Sequence, residues 1–132
     1  MYRKDYLERE LEKLVLILAY ILKLKKEEDI SFIEIEQAAK TGLRDLFGED
    51  FELETIEHDT DVNKLTPPKQ QALADILFEL GVTAHEQEKP EASQNFLQQY
   101  LHLLKLIEQH SDTFSFQNIA NKGIAQKLLF EL

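Results

Sequence analysis

DYLERELEKLVLILAYILKLKK, residues 5–26, decides the fold class. It contains no Gly or Pro, and the strong helix formers Glu, Lys and Leu dominate it. At about 100° per residue, Leu7, Leu11, Leu14, Val15, Leu18, Ile21 and Leu22 fall on one face of a helix. Leu16, Ile17, Tyr20 and Leu24 form a second stripe on the opposite side. A helix that is apolar on two sides needs cover on both. It is either the central helix of its own bundle or part of a subunit interface. Leu16, Ile17, Tyr20 and Leu24 are therefore the candidate interface for a protein partner or for a second copy in a homodimer. The competing place for them is a core closed by the other helices.

The same stretch argues against a membrane role. The unbroken apolar run from Leu14 to Leu22 is too short for a transmembrane helix, which needs about 20 such residues. Asp5, Glu8, Glu10 and Glu12 precede it, where a secretory signal would be basic and poor in acids. The chain has no Cys, which removes disulfides, thiolate metal sites and thiol nucleophiles. This composition suits a reducing cytoplasm, the expected location.

Downstream, helix signals continue to the end. Ser31-Phe32-Ile33-Glu34 is a capping box, with Ile30 and Ile35 set for a hydrophobic staple. Ile35, Ala38, Ala39, Leu43, Leu46 and Phe47 carry the second helix to Gly48, a good C-terminal stop. Residues 49–65 read as an acidic connector, with Leu53 and Ile56 as anchors for a short helical turn. Thr66-Pro67-Pro68 opens a third long helix whose core face includes Leu73, Ile76, Leu77, Leu80 and Ala84. Pro90 opens a fourth, with Phe96, Leu97, Tyr100, Leu101, Leu103, Leu104 and Ile107. Ser111 to Ser115 breaks it. A last helix follows from about Phe116 to Phe130, with Ile119, Ala120, Ile124 and Leu128 as its core set. No useful stretch alternates with period two, so no sheet is expected. At 132 residues and 43% hydrophobic, the chain reads as one all-α domain of about five helices, residues 1–132. Its parts are a first hairpin (5–48), the connector (49–65), a second hairpin (66–110) and a C-terminal helix (111–132).

The second hairpin resembles a tetratricopeptide repeat. Leu80-Gly81 on its first helix allows close packing, and Ala84, Ala92, Phe96 and Tyr100 stand near the repeat's other positions. The pattern departs in places. Gly81 to Ala92 is one residue short, Glu88-Lys89 replaces the usual Gly of the turn, and no Pro closes the unit. Asp5-Tyr6-Leu7, Leu24-Lys25-Lys26-Glu27 and Leu46-Phe47-Gly48, together with the late hairpin, are similar to a bacterial family of short helical proteins known only as a domain of unknown function. The resemblance spans about residues 5–108. It implies antiparallel hairpins packed as a tetratricopeptide-like bundle and brings no catalytic residues.

Charge narrows the partners. The net charge is −10, and residues 49–65 alone carry seven acidic side chains against one basic. An acidic surface repels phosphate backbones, so nucleic acid is disfavoured and a basic protein partner is favoured. Steering by the connector would weaken with added salt. Asp59-Thr60-Asp61-Val62-Asn63 opens like a calcium loop, but Lys64 and Gln70 stand where Gly and Glu are needed. His58, His85, His102 and His110 form no metal motif, and no carboxylate lies in an apolar stretch that would raise its pKa. Glycine-rich phosphate loops and nucleophile elbows are absent. No catalytic, cofactor or metal residue is assigned. The expectation is a non-enzymatic helical scaffold that binds another protein or itself. Gln70, Leu73, Leu77 and Ala84 are candidate lining of a groove along the third helix, or else core. The alternative is a small-molecule or metal-dependent activity in a pocket between hairpins.

Overall fold

The structure, a computed structural model, describes residues 2–110 and 115–131, with side chains from residue 8 onward. The Leu7 side chain and the break beginning at Ser111 lie outside the described residues. Six α-helices and one 3₁₀ segment make up the described fold: α1 (Tyr2–Lys25), α2 (Phe32–Phe47), the 3₁₀ segment (Leu53–His58), α3 (Thr60–Asn63), α4 (Pro67–Glu86), α5 (Pro90–His110) and α6 (Phe116–Glu131). There is no strand among the described residues. The five long helices lie where the sequence pattern puts them. The two short ones correct the reading of the connector as mostly loop.

Local chemistry explains the helix ends. The Ser31 hydroxyl accepts from the Glu34 N–H at 3.3 Å at the start of α2. Gln87, just past α4, clamps the same turn: its Oε1 accepts from the Phe32 N–H at 2.6 Å and its Nε2 donates to the Ile30 carbonyl at 3.1 Å. Gly48 ends α2 at φ 111°, a conformation that a side chain would oppose. Thr66 takes the cap position of α4 without a side-chain bond, and Pro67 supplies the preset φ of the first turn.

The connector is held by amide side chains. Gln99 of α5, 2% exposed, donates from Nε2 to the Glu54 carbonyl at 2.9 Å and accepts at Oε1 from the Glu57 N–H at 2.9 Å. Gln70 of α4 donates to the Val62 carbonyl at 3.1 Å. Leu53, Ile56 and Val62 point inward beneath these bonds and are buried. Seven acidic residues thus sit on a segment whose apolar minority is enough to anchor it.

α4 is the central helix. It packs against α1, α2, α5 and α6, and its buried residues cover most of its circumference. Of the two places open to α1 in the sequence, the centre of the bundle is thus taken by α4. Two ion pairs fasten α1 alongside it: Glu10 to Lys69 at 3.1 Å near one end and Lys25 to Glu79 at 2.6 Å near the other. Both pairs join like ends, so α1 and α4 run parallel. α6 also runs parallel to α4, because Gln71 meets Asn118 and His85 meets Glu131. α5 returns antiparallel, with Ser93 Oγ donating to the Gly81 carbonyl at 2.9 Å. The arrangement is a row of three parallel helices, α1, α4 and α6, with α2 and α5 running the other way. No helix is long and apolar enough to cross a membrane among the described residues.

Candidate functional site

The outward face of α1 is the most apolar helix face that the first hairpin leaves uncovered. Packing against α2 and α4 buries Leu14, Ile21 and Leu24, with Leu11, Ile17 and Leu18 partly covered. Leu16 is 67% exposed, Tyr20 51%, Val15 50% and Leu22 40%. The covered arc is therefore rotated relative to the sequence reading. Val15 and Leu22, expected in the core, face out. Leu24, a candidate interface residue, is in the core, and Ile17 is half-buried against Gly42 of α2. A Cβ on Gly42 would come within 2.9 Å of Ile17 Cγ1, so α1 and α2 meet closely there. Only Leu16 and Tyr20 of the four candidates stay on an open surface. They line an open cleft of about 510 Å³ between α1 and α2, together with Ile17, Gln37, Ala38, Thr41, Gly42 and Asp45.

The candidate groove residues lie elsewhere. Gln70, Leu73, Leu77 and Ala84 are at most 1% exposed and belong to the core rather than to an open groove. On the helix they fall on the side of α4 opposite the strip Asp75, Glu79, Val82 and Glu86. That strip lies between the contacts to α1 (Lys69, Glu79) and those to α6 (Gln71, His85). The partly open side of α4 is thus acidic, and an apolar search of the sequence passes over it.

α6 presents a second uncovered face. Phe130 is 92% exposed, Phe116 81%, Ile119 50% and Ile124 45%. Ala125 is its one buried residue among those described, with Leu128 and Leu129 packed partly against the core. Of the expected core set, Ile119, Ala120 and Ile124 are thus turned outward, and Leu128 alone faces in. The spacing of Ala125, Leu128 and Leu129 was the signal for the true inner face.

Polar groups at the junction of α4, α5 and α6 correct the expectation about carboxylates. Burial pushes the Asp75 carboxyl above its ordinary range, against a hydrogen bond from Gln71 that lowers it and beside Glu79, which raises it further. Burial likewise raises Glu36, opposed by Lys40 and aided by Glu54. Tyr100 is fully buried, its hydroxyl has no hydrogen-bond partner among the described residues, and burial raises its pKa, with Asp75 and Glu108 adding to the shift. Gln71 Nε2 donates to Asp75 at 2.9 Å and to Asn118 at 3.0 Å, and Asn118 Nδ2 returns a bond to Gln71 at 2.8 Å. The cluster joins α4 to α6.

A cavity of about 200 Å³ lies at the connector, with Phe47, Phe51, Val62 and Leu65 as apolar lining and Asp50, Asp59 and Asp61 beside them. Asp59 serves as the cap of α3, its Oδ1 accepting from the Asp61 N–H at 2.9 Å and the Val62 N–H at 3.3 Å. The supposed calcium loop is thus a helix start. No group of three or more metal-ligating side chains is gathered among the described residues. His58 is mostly exposed beside Glu57, and His85 lies 3.7 Å from Glu131. No family model, curated protein or solved structure matches the chain, so the family resemblance rests on the residues quoted for it.

Proposed function

We propose that this chain is a non-enzymatic helical scaffold that binds protein through the outward face of α1. The observation that carries the reading is the run of uncovered apolar side chains Val15, Leu16, Tyr20 and Leu22 on a helix whose other side is firmly packed. Large apolar side chains grouped on one open face mark interaction surfaces, whereas scattered single ones do not. The cleft beside Leu16 and Tyr20 suits an apolar helix face laid into it. The parallel row of α1, α4 and α6 supports a repeat-like, tetratricopeptide-like reading of the hairpins. In such stacks the end helices are uncovered unless a polar cap or a partner closes them. The acidic connector adds a long-range pull on basic partners.

The test compares wild type with the double variant Leu16→Glu, Tyr20→Glu as baits, scoring both other proteins and the untagged chain itself. Both positions are exposed, so circular dichroism should match wild type. Partners, self included, are expected with wild type and lost with the variant. Equal recovery by both baits would overturn the assignment of the face.

A further inference from the structure

On the outward side of α1, Glu8, Glu12, Val15, Ala19, Leu22 and Lys26 are all exposed. Their spacing alternates four and three, the seam of a two-helix coiled coil. The seam is apolar in the middle, acidic at one end and basic at the other. Beside it run Leu16 and Tyr20, with Arg9 and Lys13 at the first end and Glu27 at the second. We infer that the partner of this face is a second copy of the chain, whose α1 lies antiparallel across the first. The inference rests on the reading of this face as a docking surface and names its occupant.

Charge selects the occupant and its direction. A parallel copy would set Glu8 and Glu12 against their own counterparts and Lys26 against Lys26. An antiparallel copy that sets Glu8 level with Lys26 of the second copy leaves Glu12 about one turn from the same Lys26 and Arg9 within one turn of its Glu27, at both ends at once. Lys23 then lies level with residue 11 of the second copy, beside Glu12 and between the like charges Arg9 and Lys13. The pairing is isologous, so the apolar middle meets its own equivalent and the assembly closes at two. The chain carries −10 overall, which opposes self-association, but residues 8–27 hold five basic side chains against four acidic. The face itself is therefore close to neutral, and two copies meet on it with little net repulsion.

The chain has no cysteine, so cross-linking can be directed cleanly. Residues 8 and 26 are about 27 Å apart along the helix at about 1.5 Å per residue. That exceeds the reach of a short bis-maleimide. The experiment uses full-length Glu8→Cys and Lys26→Cys, each alone and mixed in equal amounts. Both sites are exposed, so folding is unaffected. The expected result is a cross-linked dimer in the mixture and little or none in either variant alone. Cross-linking of each variant with itself would mean a parallel pair and overturn the inference. No cross-link in any combination would also overturn it, and a foreign protein captured in a Leu16- and Tyr20-dependent manner would then leave the docking face standing with a different occupant.

Discussion

Gly81 is the residue on which the second hairpin closes. A Cβ there would lie 2.5 Å from Leu97 Cδ2 and 2.7 Å from Leu97 Cγ, and Leu97 is fully buried. Gly81→Ala should therefore destabilise the fold by about 1–3 kcal/mol, the usual cost of overpacking. Chemical denaturation measures it, and trimming Leu97 to Ala in the same chain should relieve part of the loss, since touching sites are not additive. Wild-type stability in the single variant would contradict the close approach. The sequence made this contact legible through Leu80-Gly81, and the repeat-like pattern places Ala92 as the small residue of the next helix. Ser93 and Leu97 meet Gly81 instead, and Ala92 is only half-buried. The turn is one residue short of the pattern, and one residue rotates a helix by about 100°.

At the scale of elements, the long helices were legible because their caps are local: Ser31, Gly48, Pro67 and Pro90 mark boundaries without help from the rest of the chain. Which arc of each helix is covered depends on its neighbours. For α1 and α6 the apolar residues outnumber what their neighbours hide, so hydrophobicity alone misassigned Val15, Leu22, Ile119 and Ile124. The connector erred in the other direction. Leu53 and Ile56 were legible as anchors, but its acidic composition hides Val62 and an outside contribution, the Gln99 amide, that lies 42 residues from Glu57 and 45 from Glu54. Gln99→Ala would leave a backbone donor and an acceptor without that partner. The expected cost is about 1–3 kcal/mol, and hydrogen exchange should speed up first in residues 53–63. Unchanged exchange there would mean that Leu53, Ile56 and Val62 hold the segment unaided.

Across the whole molecule, α4 gathers the core and the row α1, α4, α6 leaves an apolar face at each end. The two ends have different consequences. Pairing of α1 with α1 closes at a dimer. Joining α1 of one copy to α6 of the next would leave a free end each time and grow without limit. The α1 face was legible in part, since Leu16 and Tyr20 belong to the second stripe of its sequence, whereas the α6 face was not, because Ile119 and Ile124 read as core. If the outward face of α1 binds a second copy, the mass of the protein in solution depends on its concentration. Sedimentation velocity over a range of concentrations tests it most directly, on wild type and on Ala19→Glu, a change at an exposed position in the middle of the seam. Self-pairing through α1 gives a reversible monomer–dimer equilibrium with no larger species, shifted to monomer by Ala19→Glu. A wild-type chain that stays monomeric at every concentration, or an association that Ala19→Glu leaves untouched, would contradict it.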